Sequence, residues 1–440
     1  MSGETIALLM LPAVAAGIFL GFPVFAVLAG VSLILGFIGW GPVVLDQMMS
    51  RSFWVLMSDT LPAVPLFVFM GCLMERAGIA ERAFGILQIA IGPLRGSIAL
   101  ATVFLCTLFA AGTGIVGAPV TVMGMLALPA MMRRGYSIPL ATGSILAGGT
   151  LGILIPPSIM LIIYGPLAGI SVARLFTAGI MPGLVLSGLY MGYILIRCTV
   201  NPNLGPSLPK EERTMPLGRM LLLVARDMMP FFLVIIAVLG SIIGGLASPT
   251  EAAAVGAVCA FGLAAGYRGI NWARFKEAVF ETTAVSAFIL TITIAASIFT
   301  GVFLALGGGD AITGFLLGLP LGRYGLLTII LLIVFILGFF VDWIAILLIC
   351  VPIFGPLVPL LGFDPLWFAL LFAVCLQTSF LTPPFAVSIF YLKGVAPPEV
   401  QLGHIYKGVV PFVILQLVGL VLCIIFPQII LWLPHAVYGA

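Results

Sequence analysis

Six hydroxyl side chains stand beside interruptions in otherwise apolar runs: Thr113, Thr150 and Ser158 in the first half, Thr378, Ser379 and Thr382 in the second. The interruptions free the backbone. Leu154–Tyr164 (LIPPSIMLIIY) and Leu381–Tyr391 (LTPPFAVSIFY) each carry a Pro-Pro pair, and Gly112–Gly117 is rich in glycine. Proline lacks the N–H that closes a helical turn and clashes with the turn before it, so a helix must break there. Freed carbonyls and hydroxyl lone pairs suit Na⁺, and the N–H groups of a restarted helix suit a carboxylate. The chemistry on offer is therefore binding, not bond cleavage. The two histidines, His404 and His435, are too few for a zinc or haem site, and no Ser-His-Asp set, HExxH or GKS/T loop is present. The seven cysteines form no CxxC and read as small packing residues.

One acid falls inside such an interruption: Asp342, in Gly338–Ile344 (GFFVDWI). A carboxylate at the bilayer centre costs roughly 2.5–3.5 kcal/mol, so it needs a reason to be there. It either binds a cation through its side chain or caps the returning helix while its carbonyl does the binding. Trp343 and Gln377 adjoin the same region and are candidates for substrate contact. Ser248-Pro249-Thr250-Glu251 reads as a capping box, with Glu251 as proton carrier the other option. Arg133 and Arg134 mark the end of a hairpin or steer substrate.

These groups need elements to hold them in a bilayer. The chain is 62% hydrophobic and 8% charged with a mean hydropathy of +1.31, which no soluble domain of 440 residues shows. It is read as a polytopic all-α membrane protein with room for roughly a dozen helices plus hairpins. The net charge of +3 argues against nucleic acid. The N-terminus lacks a basic n-region and reads as a first span, not a signal peptide. Expected spans are 6–20, 23–40, 53–74, 171–196, 228–246, 250–267, a long one ending near 306, and 409–433. Amphipathic interfacial pieces are expected at 74–88 and 268–277.

Broken backbone at membrane depth is tolerated only where protein buries it or where it lines a cavity. Residues 95–134 and 323–361 are read as re-entrant hairpins, with 138–167 and 365–391 as broken helices. A shift of 227 residues aligns Pro129 with Pro356, Gly135 with Gly362, Tyr136 with Phe363, the two Pro-Pro pairs, and Tyr164 with Tyr391. That agreement means duplication. Residues 1–197 form the first repeat, 198–227 a cytoplasmic linker with an amphipathic helix, and 228–440 the second repeat. With both termini periplasmic, 15 basic residues face the cytoplasm and only Arg51, Arg174 and Arg323 face out. The same path inverts the second repeat relative to the first, as in many secondary transporters.

At these residues the chain resembles the large membrane subunit of tripartite ATP-independent periplasmic (TRAP) transporters, the DctM-like family. The matching stretches are GCLMERAGIAERAFG, the glycine-rich tip with RRGY, GTLGILIPPSIMLIIYG, GLASPTEAAAVGA, and GFFVDWIAILLICVPIFGPLVPLLGFDPLWF followed by LQTSFLTPPFAVSIFYLKGVAP. The last string is similar to the branch labelled mannitol/chloroaromatic, whose relatives handle 2-oxo acids and hydroxy monocarboxylates. The resemblance implies an elevator-type, Na⁺-coupled importer of organic acids in the bacterial inner membrane. It implies a separate small DctQ-like membrane subunit and a periplasmic binding protein as partners. It places Na⁺ ligands at Gly112, Thr113, Gly114, Ile155 and Pro156, and at Asp342, Thr378, Thr382 and Pro383. Substrate contacts are expected from Thr150, Ser158, Trp343, Gln377 and Ser379. Many members carry a serine-rich first tip and Asp-Thr-Thr at the second. Here Gly112-Thr113-Gly114 and Asp342-Trp343-Ile344 leave more coordination to carbonyls. The transport domain is expected to slide past a scaffold of terminal spans, interfacial helices and the small subunit. The alternative is a stand-alone Na⁺ or H⁺ coupled carboxylate carrier with no binding protein. Such carriers often show Ser-Asn-Thr at their tips, which is absent here. A non-transporting membrane scaffold would be indifferent to changes at Thr113 or Asp342.

Overall fold

A computed structural model of the chain describes residues 2–212, 215–267, 270–383 and 386–439. The expectations attached to Arg213, Arg268, Pro384 and Phe385 lie outside the described residues. Within them every regular element is a helix. The first half holds α1 (Gly3–Phe19), α2 (Val24–Trp40), α3 (Val43–Leu56), α4 (Ala63–Arg76) and α5 (Ile79–Ala90). A hairpin of α6 (Ser97–Thr113) and α7 (Gly117–Arg133) follows, then a broken helix of α8 (Ile138–Thr150) and α9 (Ile159–Ala168), then α10 (Val172–Val200). The second half opens with α11 (Leu217–Ile235), which runs through a π-helical stretch into α12 (Ser241–Ile243). After α13 (Pro249–Gly266), α14 (Trp272–Ala305) and α15 (Gly308–Leu317) comes the second hairpin, α16 (Arg323–Leu337), α17 (Trp343–Phe354) and α18 (Leu357–Leu360). The second broken helix is α19 (Pro365–Gln377) with α20 (Val387–Val395), and α21 (Leu402–Ile425) and α22 (Gln428–Tyr438) close the chain.

The duplication is visible element by element. Helices α8 and α19 begin and end 227 residues apart, and each passes into a 3₁₀ turn, Leu151–Ile153 and Thr378–Phe380, at the same offset. Gly135 and Gly362 turn the chain into these helices with φ of 74° and 73°, a conformation only glycine adopts without strain.

Among the described residues, five helices are long and apolar enough to cross a membrane alone, and the bent pair α4–α5 makes a sixth candidate. Eight more helices of 10–17 residues are apolar, among them α6 of the first hairpin, α16 and α17 of the second, and pieces of both broken helices. Burial separates two populations. In α8 every residue from Leu140 to Thr150 is buried, and in α19 every residue from Trp367 to Gln377. By contrast α1–α3, α11 and α13 expose many large apolar side chains, as a lipid-facing surface does.

Several expected boundaries move, each for a local reason. The span expected at 53–74 is two helices. Ser58–Leu61 form a polar turn before Pro62, and Thr250 Oγ1 donates to the Asp59 carbonyl there at 2.7 Å. The expected linker boundary at 227 falls inside α11, which has begun at Leu217 and continues without a break. The interfacial piece at 268–277 and the long span after it are largely one helix. Asn271 caps α14 at its start, and no glycine or proline interrupts it before Gly301. Its 34 residues span about 51 Å at 1.5 Å each, more than the hydrocarbon core, so it projects beyond it. The last span splits where Pro427 withholds a donor after Ile425. The amphipathic α5 does form, bent 59° from α4 at Gly78. It buries Ile79, Ala83, Phe84 and Leu87 and exposes Glu81 and Arg82.

The last long helix also keeps different company from that expected of a scaffold span. A Cβ on Gly143 of α8 would stand 2.3 Å from the Gly408 carbonyl oxygen of α21. One on Gly408 would stand 2.3 Å from that of Pro139. Backbone touches backbone here, the close approach that small residues permit between membrane helices. Helix α10 lies equally close to the first break. A Cβ on Gly179 would stand 2.7 Å from the Leu154 carbonyl oxygen, and one on Gly183 2.4 Å from the Ile155 side chain. Helices α10 and α21 therefore belong to the same packed body as the breaks.

Candidate functional site

Each hairpin tip touches the break of its own half. At Gly114 the chain reverses with φ of 66°, and a Cβ there would stand 2.5 Å from the Pro157 carbonyl oxygen. A Cβ on Gly152 would stand 2.6 Å from the Ile115 carbonyl oxygen. In the second half a Cβ on Gly338 would stand 2.5 Å from Cβ of Ser379. Glycine is favoured at these points because a backbone carbonyl at Gly114 and Gly152, and the Ser379 Cβ at Gly338, leave no room for a side chain. The structure thus brings Gly114 to Pro157 and Ser158, and Ile115 to Gly152, while Thr113 lies against Gly71 of α4 and Ile155 against Gly183 of α10. In the second half it brings the start of the tip, Gly338, to Ser379.

The hydroxyls all spend their protons locally. Thr113 donates to Phe109 O at 2.9 Å, Thr150 to Ala147 O at 2.9 Å, Thr378 to Cys375 O at 2.6 Å, Ser379 to Leu376 O at 2.6 Å and Thr382 to Thr378 O at 2.7 Å. A hydroxyl that has donated its proton presents only lone pairs to anything else. Neutral oxygens of this kind are compatible with a hard cation such as Na⁺.

The prolines orphan specific carbonyls, and serine repairs one in each half. Pro157 has no N–H to offer Ile153 O four residues back, and Ser158 Oγ donates to that carbonyl instead. In the second half Ser388 Oγ donates to Phe380 O. Ile153 and Phe380 are equivalent under the 227-residue shift, so both breaks are mended at the same carbonyl by hydroxyls from different positions. The role of Ser388 was not anticipated from sequence. The signal was present: a serine shortly after the Pro-Pro pair in both repeats.

Asp342 is a cap. It stands in extended conformation before α17, its Oδ1 accepts the Ile344 N–H at 3.0 Å, and its carbonyl accepts the Ile346 N–H at 3.0 Å. Trp343 is the first residue of α17 and is half-buried. The capping box forms as well, with Ser248 N donating to Glu251 Oε2 at 2.7 Å and Glu251 N to Ser248 Oγ at 3.3 Å. Of the paired arginines, Arg134 grips Glu212 of the linker through both Nη atoms at 3.2 and 2.6 Å. That contact holds the exposed Glu212 carboxyl below its ordinary range.

Between the two tip–break pairs the halves meet on equivalent residues. Gln377 Nε2 donates to Thr150 Oγ1 at 3.1 Å, and these positions are 227 apart. Residues exchanged by a twofold lie against each other only near its axis. Gln416 Nε2 of α21 approaches the same oxygen at 3.4 Å. Gln377, Gln416 and Thr150 are wholly buried. Tyr164 of α9 also packs edge-on against Phe372 of α19, with centroids 5.9 Å apart. Gln416 lies outside both duplicated motifs, so no pattern in the sequence singled it out.

The chain matches the family described as the tripartite ATP-independent periplasmic transporter, DctM component, over residues 9–429. It is 32% identical to the C4-dicarboxylate TRAP transporter large permease protein DctM of Pseudomonas aeruginosa, covering 86% of each chain. It is 32% identical to the ectoine/5-hydroxyectoine large permease UehC of Ruegeria pomeroyi, over 86% of this chain and 87% of that one. It is 30% identical to the isethionate permease DctMQ of Oleidesulfovibrio alaskensis, over 93% of this chain but 63% of that longer one. Among solved structures it shares a fold with the Neisseria gonorrhoeae transporter MtrF, at TM-score 0.58 and 15% identity over 90% and 85% of the chains. It shares the same fold with Alcanivorax borkumensis YdaH, at TM-score 0.55 and 16% identity over 88% and 87%.

Proposed function

We infer that this chain, which belongs to the DctM component family of tripartite ATP-independent periplasmic transporters, imports an organic acid together with Na⁺. The family is a transporter permease and not an enzyme. One observation carries the proposal: each glycine-built tip meets the proline-built break of its own half, at Gly114 with Pro157 and at Gly338 with Ser379. Two such junctions of freed carbonyls and proton-spent hydroxyls give two cation sites. Na⁺ would be held by the backbone at 112–114 and 155–156 with Thr113, and by Thr378, Thr382 and the backbone at 383 near the capped turn at Asp342. Between them, Thr150, Ser158, Trp343, Gln377 and Ser379 are the groups for the carboxylate substrate.

The working cycle requires a binding protein that delivers substrate at the periplasmic face and a small membrane subunit that braces the chain. Both termini face the periplasm, and the repeats run in opposite directions through the membrane. The body that moves comprises both hairpins, both broken helices, α10 and α21. The interface it slides along is α4 and α14. Gly71 of α4 offers only backbone to Thr113, and Thr300 of α14 donates to Leu348 O of α17 at 2.7 Å. Each net positive charge carried inward gains roughly 2.3 kcal/mol per 100 mV, so two Na⁺ with a monoanion drive accumulation.

Reconstituted uptake tests this. The chain and its small subunit are placed in vesicles, the binding protein is added outside, and labelled C4-dicarboxylate and 2-oxo acids are followed with and without an inward Na⁺ gradient. Uptake is expected only with both Na⁺ and binding protein. Thr113→Val and Thr378→Val are each expected to raise the Na⁺ concentration for half-maximal rate. Uptake that ignores the binding protein would favour a stand-alone carrier. Uptake that ignores Na⁺ would refute the ion sites.

A further inference from the structure

One polar cavity lies away from the tips and breaks. It occupies about 130 Å³ where the start of α8, the end of α10 and the start of α21 come together. At about 30 Å³ per water it holds a group of some four water volumes, the scale of a phosphate ester. Two cationic side chains line it from different halves of the chain, Arg197 of α10 and Lys407 of α21. Neither forms an ion pair among the described residues. Ser137, which opens α8 without a side-chain cap, lines the same cavity.

The surroundings narrow the ligand. Arg197 is three residues from the end of a 29-residue apolar helix, and Lys407 stands in the second turn of a 24-residue one. Both therefore lie at a membrane–water boundary, where long cationic side chains reach for headgroups. Directly along α21 from Lys407, at steps of three, seven and eleven, Val410, Ile414 and Val418 are exposed at 55%, 55% and 41%. Positions so spaced form one strip on a helix. A pair of cations at the boundary above an apolar strip matches a charged head with hydrocarbon tails. Basic pockets between membrane helices hold anionic lipid headgroups in this way.

We propose that this cavity is a headgroup site for an anionic phospholipid, with the phosphate between Arg197 and Lys407 and an acyl chain along Val410, Ile414 and Val418. The site joins α8 to α10 and α21, so a bound lipid brackets three helices of the central body.

The test uses the full chain in nanodiscs of neutral phosphatidylcholine doped with photoreactive phosphatidylglycerol. Cross-links in the wild type should map to the α10 and α21 peptides around Arg197 and Lys407. Native mass spectrometry should find phosphatidylglycerol retained, and Arg197→Gln with Lys407→Gln should cut retention about tenfold. Arg197→Lys should keep it, and so should the charge-matched control Lys210→Gln with Arg219→Gln. Cross-links spread evenly over the membrane surface would overturn the proposal, and so would equal retention in all variants. Displacement of the lipid by inorganic phosphate alone, with no preference for phosphatidylglycerol over phosphatidylcholine, would assign the cavity to a soluble anion instead. The wild-type cross-linking decides the matter even if the double variant fails to fold.

Discussion

The two tip–break junctions occupy equivalent places in a duplicated chain, yet they are built by different chemistry. The first works by omission. Gly114 and Gly152 each bring a backbone against a carbonyl, the tip has no charge, and α6 is buried along nearly its whole length. The second works by addition. Asp342 caps the returning helix, and Phe335, Phe339 and Phe340 pack edge-on around the turn, with Phe340 reaching Phe19 of α1 at 5.2 Å. Its outer arm α16 leaves Leu332 and Ile336 exposed. A tip buried in its own protein has its shape imposed by neighbours, so it needs only the absence of side chains. A tip nearer the surface must hold its own shape, and a cap with aromatic packing does that.

The largest effect should come from adding a methyl group to the first tip. Gly114→Ala combines a left-handed backbone with a 2.5 Å clash against a carbonyl that cannot yield. Uptake should fall about a hundredfold, as misplacement by ~1 Å can cause. Gly112→Ala, with open space around it, should be near wild type. Gly338→Ala meets a side-chain carbon and should fall between them. Equal losses at Gly114 and Gly338 would break the distinction drawn between the tips.

Asp342 sharpens the same comparison. Asp342→Ala should cost about 1 kcal/mol in thermal or denaturant unfolding, the usual worth of such a cap. Asp342→Asn should restore most of it, because an amide oxygen also caps. If Asp342→Asn unfolds like wild type but loses its Na⁺ dependence, the carboxylate is an ion ligand as well as a cap.

A smaller effect belongs to the bond that ties the junctions together. Gln377→Leu keeps the volume and removes the donor to Thr150, so stability should drop by about 1 kcal/mol. If the tips act independently, the steepness of the Na⁺ dependence will be unchanged. If they are coupled through the axis, it will flatten.

The smallest effect is expected at the exposed Arg134–Glu212 pair, beyond the first tip's open end. The Glu212 pKa is lowered in the folded state, so the pair's contribution is present above the ordinary carboxylate range. It is lost as pH falls through the lowered value. The melting temperature of wild type should exceed that of Glu212→Gln slightly at neutral pH and low salt, and the gap should close on acidification or in high salt.

Much of this protein was settled by residue types in order along the chain. Proline and glycine act through their own covalent structure, so the breaks at Pro156 and Pro383 and the tip at Gly114 followed from composition alone. The 227-residue offset aligned α8 with α19, which the structure then gave identical lengths. The capping box at Ser248–Glu251 was legible for the same reason, since its partners are three residues apart. Helix ends were less legible. The turn at Ser58–Leu61 and the stop at Pro427 sit inside apolar stretches whose average hydropathy conceals the local polar and proline signals that end the helices there. What the tertiary structure alone decided is contact between distant positions. That Gln416 joins Thr150 and Gln377 and that α21 seats its backbone on α8 depend on how helices far apart in sequence approach one another. Local propensity carries no information about that approach, because it is fixed by close packing summed over the whole interior.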